Sequence, residues 1–291
     1  MENKVYQMVT DKIIEQMNAG IIPWHKPWHL AGSAEDSAIN YVTRKPYSVI
    51  NQWLLGDTGE YLTFKQIQER GGSVKKGAKS KFVVFFTMQP YKVMNKDGEE
   101  ELRQRPVLRY YNVFHIDNVE GIASKIDKPA SQPTEVEIEG AATDAISAYL
   151  DREAGLRFIN NKPSDRAFYS PVEDKVVVPM PAQFDEVSEY FSTAFHELVH
   201  STLIESRCNR RDKSKVAFFG SHEYSREELV AEVGAAMLCS NFGYDCQKTF
   251  RNSVAYLQSW VKNLKNDPKA IVVAAGKAAA AVTYILKGKT E

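Results

Sequence analysis

The chain has 291 residues, of which 43% are hydrophobic and 25% charged, and its 37 basic residues balance its 37 acidic ones. This composition is typical of a soluble globular protein, and the length allows one large domain or two ordinary ones. No apolar run approaches the ~18–20 residues that span a bilayer, so we expect no membrane segment. The odd number of cysteines, three, and the absence of CxxC spacing argue against a disulfide framework and indicate a reducing cytoplasm.

The first half of the sequence predicts short helices followed by strands. Apolar residues at helical spacing, bounded by glycines, predict helices at residues 5–17, 47–55 and 63–70. Residues 73–93 predict a strand or hairpin entered through a basic turn, and residues 108–122 predict a returning strand. The acidic segment between them, residues 95–105, is predicted to be a loop.

The second half is predicted to form a separate domain. Residues 126–136 contain two prolines and no apolar period, which predicts a linker between domains at 1–125 and 137–291. A β-hairpin is predicted over residues 167–179. Helices are predicted at residues 138–152, 191–205, 225–241, 254–264 and 268–286. We therefore expect an α+β protein of two domains.

Residues 196–200 form the pattern H-E-x-x-H. On a helix, His196 and His200 lie on the same face and can bind one metal ion. Glu197 follows the first histidine, where its carboxylate can take a proton from a water whose pKa zinc lowers towards ~7. We predict a gluzincin-like zinc metallopeptidase site with Glu197 as the catalytic residue. Zn²⁺ is the expected ion, and Mn²⁺ or another divalent ion is the alternative.

A catalytic zinc ion needs a third protein ligand, and the predicted helix at residues 225–241 offers three glutamates. Glu228 and Glu232 are four residues apart and share a face, so one could bind the metal while the other hydrogen-bonds a ligand histidine. We assign Glu228 as the ligand and Glu232 as the supporting residue, and helix periodicity leaves the reverse assignment open. Glu227, rotated by about 100°, is expected to be solvated.

A tyrosine and a strand are predicted to act on the protein substrate, the tyrosine on its reacting carbonyl and the strand on its backbone. The sequence does not identify this substrate. Tyr224 precedes the glutamate-bearing helix and could donate to a developing oxyanion, with ordinary packing of the phenol as the alternative. The strand at Val176 to Val178 is our candidate edge strand, because a peptide can bind by adding a strand to an unpaired sheet edge.

The first half also carries a local positive charge. From Leu62 to Lys96 there are eight basic residues and one acidic residue, an excess of seven. Such an excess favours a nucleic-acid partner, and a solvated lysine-rich loop is the alternative. The lysines predicted to follow phosphates are Lys75, Lys76, Lys79 and Lys81.

Basic and aromatic residues also alternate nearer the N-terminus. Single-stranded nucleic acid is held by base stacking and phosphate contacts, and stacking contributes about 1–3 kcal/mol per base. Each aromatic residue could instead belong to the core. The residues predicted to contact single-stranded DNA are Trp24, Lys26, Trp28, Arg44, Lys45 and Tyr47.

Several of these segments together resemble the antirestriction protein ArdC family of plasmids and phages. The matching segments are IIPWHKPW, residues 40–51, residues 71–77, YYNVFHIDNVEGI, AFYSPVEDKVVVP, FHELVHST and EELVAEVGAAML. The resemblance implies an N-terminal single-stranded-DNA-binding domain, shared with conjugative primases, and a C-terminal zincin-like metallopeptidase domain. It also implies metal ligands at His196, His200 and a glutamate of EELVAE, with Glu197 catalytic.

The resemblance further implies a relationship to peptidases that digest protein crosslinked to DNA. The expected function is protection of incoming mobile DNA from host restriction. One alternative is a DNA-dependent protease acting on DNA-bound or crosslinked protein. Another is a DNA-binding module whose metal is purely structural.

Overall fold

The fold combines helices with three small sheets, so the chain is α+β, as the sequence predicts. The computed structural model describes residues 2–25, 37–94, 100–126, 135–210, 222–244 and 254–289. Internal contacts divide the chain into a first unit, Met1–Glu15 with Ala34–Asp127, and a second unit, Gln16–Ser33 with Lys128–Glu291. Of the described residues, 16–25 therefore group with the second unit, although the predicted boundary placed them in the first. Most of the predicted linker lies outside the described residues.

The first unit is built on six strands, which are β1 (Ala38–Asn40), β2 (Gly59–Leu62), β3 (Ser73–Val74), β4 (Lys81–Met94), β5 (Glu100–His115) and β6 (Val119–Glu120). Four of them form a sheet in the order β1-β2-β5-β4. β1 is parallel to β2, and the other pairs are antiparallel. β3 and β6 form a separate two-stranded sheet. The helices that begin in this unit are α1 (Glu2–Asn18), α2 (Val49–Leu55) and α3 (Phe64–Gln68).

Local capping explains the helix bounds in this unit. Thr63 accepts a hydrogen bond from the Gln66 backbone while the Gln66 side chain accepts one from the Thr63 backbone, a capping box that begins α3. α2 ends at Gly56, whose φ of 70° suits glycine. The sheet packs over a core that includes Tyr47, Tyr61 and Val83.

The β4–β5 hairpin is longer than predicted. It forms a continuous ladder from the pair Lys81–Val113 to the pair Met94–Glu100. Residues 100–105, predicted as part of a loop, are strand, so that prediction is wrong. Both faces of this part of the hairpin are exposed, and its sequence therefore lacks the apolar alternation by which a half-buried strand is recognised. Cross-strand pairs such as Lys92 with Glu100, 2.6 Å apart, join the strands instead.

The second unit packs helices on a three-stranded sheet in the order β7-β9-β8. The strands are β7 (Arg157–Ile159), β8 (Phe168–Ser170) and β9 (Lys175–Val177). The helices are α4 (Glu135–Arg152), α5 (Val187–Ser201), α6 (His222–Phe242), α7 (Val254–Asn266) and α8 (Ala270–Lys287). β9 is the central strand, so the prediction of an edge strand at Val176 to Val178 is wrong. β7 was not predicted, and its parallel pairing with β9 covers the edge that Val176 to Val178 would have offered.

α8 is the most apolar of the described helices of the second unit. From the sequence, no apolar run long enough to cross a membrane was expected. Among the described residues, α8 is the one helix that is long and apolar enough to do so. Half of it is buried inside the protein, and it packs against α4, α5 and α6. These contacts are those of a core helix.

Candidate metal centre

The centre forms where α5 and α6 approach each other closely. A Cβ atom at Gly234 would lie 2.8 Å from Cγ2 of Val199, so only glycine allows this approach without displacing α5. The apolar face of α5 is buried, including Phe195 and Leu198. The close contact brings the glutamates of α6 beside the histidines of α5.

Two imidazoles and one carboxylate converge at this point. Nε2 of His196 lies 3.2 Å from Nε2 of His200, and these atoms lie 3.5 and 3.4 Å from the two carboxylate oxygens of Glu228. Donors about 2.1 Å from a tetrahedral ion lie roughly 3.4 Å apart. The spacing of His196, His200 and Glu228 therefore fits a zinc-type ion, and the three form a cluster of potential metal ligands.

Two further glutamates face the other ring nitrogens. Oε2 of Glu232 lies 3.7 Å from Nδ1 of His196, and Oε1 of Glu227 lies 3.6 Å from Nδ1 of His200. A carboxylate at the second nitrogen of a ligand histidine fixes its tautomer and ring orientation. The position of Glu232 is compatible with the supporting role assigned to it, which stays a prediction. The expectation that Glu227 is solvated is wrong, because this side chain contacts both His200 and Arg210.

The electrostatics of the cluster favour a cation. Burial alone would lower the pKa of His200, but the hydrogen bonds that it donates to Glu227 and Glu228 raise it to about 10. Burial would raise the pKa of Glu228, but the two histidines outweigh it and lower that pKa far below its ordinary value. The two histidines are surrounded by the carboxylates of residues 197, 227, 228 and 232. The guanidinium of Arg210 contacts one of these carboxylates, that of Glu227. Carboxylates in such excess, two of them buried and two partly buried, are stabilised by a bound positive charge.

Glu197 has a different environment from the other glutamates. It is 8% exposed, and burial raises its pKa. The charges of His196 and His200 and a backbone hydrogen bond from Tyr169 in β8 partly offset this rise. A buried carboxylate with a raised pKa is a suitable proton acceptor near neutral pH. The contact with Tyr169 also shows that β8, an edge strand, lies beside Glu197.

A buried arginine joins the end of α5 to the sheet. Arg207 donates to Asp174 through two nitrogens, at 2.8 and 2.7 Å, and to Glu153 at 2.8 Å. It also donates to the backbone carbonyl of Ser201, the last residue of α5, at 2.8 Å. These contacts hold the turn after the HExxH helix against β8 and β9, and no feature of the motif predicted them.

The residues predicted to bind DNA are dispersed. Trp24 is 3% exposed, lies in the second unit and belongs to a 3-10 turn that packs on α6, so the core alternative describes it better than base stacking. Tyr47 is also buried, in the core of the first unit. Lys45 is exposed, and Arg44 pairs with the buried Glu60. Lys26 and Trp28 lie outside the described residues, as does the side chain of Tyr224.

The basic turn before β4 is exposed in part. Lys75, Lys76 and Lys79 are exposed and available to solvent. Nζ of Lys81 instead contacts the Leu55 carbonyl at 2.6 Å and the Asp57 carboxylate at 2.7 Å. Three of the four predicted lysines are therefore accessible and their role in phosphate binding stays a prediction, whereas Lys81 is engaged within the protein.

Both halves of the chain match described families. Residues 3–114 match the N-terminal domain of anti-restriction factor ArdC, and residues 149–277 match the zincin-like metallopeptidase family MPTase-PolyVal. The crystal structure of the antirestriction ArdC protein from the R388 plasmid, in its Mn(II)-bound form, is 30% identical, with a TM-score of 0.71 over 97% of each chain.

Two curated relatives are similar over nearly the whole chain. DNA primase TraC of Escherichia coli is 29% identical over 298 residues, which cover 97% of this chain and 20% of TraC. Uncharacterized protein y4eC of Sinorhizobium fredii (strain NBRC 101917 / NGR234) is 28% identical over 289 residues, which cover 94% of this chain and 89% of that protein. The chain thus spans only a fifth of the length of TraC.

Proposed function

Because the chain belongs to the ArdC family of antirestriction proteins, we propose that it protects the incoming DNA of a mobile element from host restriction. In this proposal the first unit binds single-stranded DNA, and the zincin-like second unit is a metallopeptidase that acts on a protein substrate. The protein works in the cytoplasm, where incoming DNA meets restriction enzymes.

The observation that carries the proposal is the group of three metal donors beside a buried glutamate. His196, His200 and Glu228 would hold a divalent ion, because their donor atoms have the spacing of a tetrahedral site. Such an ion polarises a peptide carbonyl and acidifies water. Zn²⁺ is our first choice. The crystallised ArdC protein from R388 with Mn(II) supports Mn²⁺ as the second.

The other residues of the centre have separate roles. Glu197 accepts a proton at its carboxylate, for which its burial and raised pKa suit it. Glu232 and Glu227 orient the imidazoles of His196 and His200. β8 supplies the substrate edge, since no strand among the described residues pairs with it on the side opposite β9, and it lies beside Glu197.

The decisive experiment compares Glu197→Gln with the parent protein in a restriction-protection assay, with metal content measured on the same preparations. Glu139→Gln, an exposed change on α4, is the matched control. We expect Glu197→Gln to retain metal and lose protection, while Glu139→Gln retains both.

The other outcomes identify the alternatives. Full protection by a metal-bearing Glu197→Gln protein would contradict the peptidase role and indicate a DNA-binding module with a structural metal. Cleavage of DNA-bound protein by the parent only when DNA is added would indicate a DNA-dependent protease.

A further inference from the structure

The β4–β5 hairpin has two chemically different faces. Side chains alternate between the faces along each strand, and directly paired residues share a face. One face, which we call the arginine face, carries Phe85, Tyr91, Arg103, Arg105, Arg109 and Tyr111. The opposite face, which we call the apolar face, carries Phe86, Met88, Met94, Leu102 and Tyr110. All of these residues except Tyr111 are exposed.

On the arginine face, cations and aromatic rings lie next to one another. Arg109 is paired directly with Phe85, and Arg103 with Tyr91. The Arg105 guanidinium lies 5.6 Å from the centre of the Tyr91 ring. The rings of Phe85 and Tyr111 lie 5.5 Å apart. The face thus presents rings supported by neighbouring side chains, with guanidinium groups between them.

The charges of the face are mostly uncompensated. Arg103 pairs with Glu101 at 2.9 Å, whereas among the described side chains the hydrogen-bond acceptor of Arg105 is the neutral Gln89, at 3.5 Å. Arg109 has no carboxylate partner within the described part of the chain. Three guanidinium groups therefore face one carboxylate. On the apolar face Lys92 is neutralised by Glu100, so the uncompensated positive charge of the described strands lies on the arginine face.

This combination complements single-stranded nucleic acid. Residues two apart on a strand are separated by about 6.7 Å, so Arg103 and Arg105 form a row of cations along β5. The guanidinium fork matches phosphate oxygens, and exposed rings accept unpaired bases by stacking. Bases in a duplex are already stacked on each other, so this arrangement favours single strands.

We propose that the arginine face of the β4–β5 hairpin is the surface on which the protein holds single-stranded nucleic acid. Bases stack on Phe85 and Tyr91, and phosphates contact Arg105 and Arg109. This proposal rests on the DNA-binding part of the proposed function. It places the DNA-binding surface on the arginine face, which the sequence did not indicate. This face also supplies the exposed rings that the buried Trp24 and Tyr47 do not.

Adjacent residues on opposite faces provide matched variants. Phe85 is 42% exposed and Phe86 is 55% exposed, so Phe85→Ala and Phe86→Ala remove the same ring from the two faces. Phe85→Leu removes the ring but keeps apolar contact with Tyr111. The double change Arg105→Gln/Arg109→Gln is matched in charge by Lys65→Gln/Lys92→Gln, two exposed lysines off the arginine face.

The measurement is fluorescence anisotropy of a labelled oligothymidylate with the full chain, repeated across a salt series. Phe85→Ala and Phe85→Leu should weaken binding about fivefold or more at every salt concentration, because a stacked ring is lost. Arg105→Gln/Arg109→Gln should flatten the slope of log affinity against log salt by about 1.4, since each phosphate contact contributes about 0.7. Phe86→Ala and Lys65→Gln/Lys92→Gln should stay within about twofold of the parent.

Binding by the parent with no change in the arginine-face variants would overturn this location while leaving DNA binding intact. Equal losses in the control variants would also overturn it. If the parent itself does not bind the oligonucleotide, the single-stranded-DNA part of the proposed function fails together with this site.

Discussion

Arg210 and Glu227 form a two-point ion pair, with Nη2 to Oε1 at 2.6 Å and Nε to Oε2 at 3.2 Å. The same Oε1 lies 3.6 Å from Nδ1 of His200. Arg210 also donates to the Val199 carbonyl at 3.0 Å and to Oγ1 of Thr202 at 2.6 Å. It therefore links the end of α5 to the first part of α6 and holds Glu227 where it can orient His200.

The first prediction concerns this link. Glu227→Gln keeps the shape of the side chain but removes the charge that faces His200, so we expect metal affinity to fall about 10–100-fold. A competition titration with a chromophoric chelator measures the change, with Glu139→Gln as the control. Unchanged affinity in Glu227→Gln would mean that the contact with His200 contributes nothing to metal binding.

The second prediction separates the two glutamates whose roles periodicity left open. Glu228 lies among the ligand atoms, whereas Glu232 faces the second nitrogen of His196. Loss of a ligand costs more than loss of a supporting residue, which typically costs about 10–100-fold. Glu228→Ala should therefore weaken metal binding more than Glu232→Ala in the same titration. Loss of metal in Glu232→Ala, with retention in Glu228→Ala, would reverse the assignment.

The third prediction tests the close approach of α5 and α6. Gly234→Ala places a Cβ atom 2.8 Å from Val199, so the helices must separate, and overpacking of this kind costs about 1–3 kcal/mol. Urea unfolding measures the loss of stability, and the chelator titration should show weaker metal binding. Val199→Ala in the same chain makes room for the new methyl group. If this second change restores neither property, the contact does not set the helix spacing.

The fourth prediction concerns pH. Burial would raise the pKa of Asp174, but hydrogen bonds from Arg207 and Tyr169 outweigh it and lower that pKa below its ordinary value. A lowered folded-state pKa gives stability that is present above the unfolded pKa of about 3.9 and is lost as pH falls through the folded value.

Asp174→Asn is the appropriate variant, since asparagine tolerates the φ of 44° at this position. At pH 6 it should lower the free energy of unfolding by about 1.5–3 kcal/mol, the range for a hydrogen bond to a charged group. The difference from the parent should shrink as pH drops below about 3.9. Urea unfolding at several pH values measures it, and a difference that does not change with pH would contradict the ionic role of Asp174.

The sequence predicted those parts of the site that depend on local geometry. Helix periodicity alone places His196 and His200 on one face of α5, and Glu228 and Glu232 on one face of α6. The role of Glu227 depends on how α6 is rotated against α5, which the contact at Gly234 decides. Gly234 lies seven residues after Glu227, on the same side of the helix, and is the signal that could have identified Glu227.

Tertiary burial explains the predictions that did not match the structure. Trp24 and Tyr47 have the composition expected of a stacking surface, but packing with distant residues buries both. Arg103 and Arg105 of β5 were assigned to a loop because a strand exposed on both faces has no apolar period, whereas Arg109 was placed in the returning strand. Their register with β4 brings Phe85 beside Arg109 and Tyr91 beside Arg103, and pairing between strands cannot be read from either strand alone.

The fifth prediction tests the central claim, that His196, His200 and Glu228 hold one divalent ion. The measurement is the metal content of the purified, dialysed protein by mass spectrometry, for the parent, His196→Ala and His200→Ala. We expect one ion per chain in the parent and almost none in either variant, together with a lower melting temperature, because metal binding stabilises the folded state. Stoichiometric metal in both variants would contradict the claim.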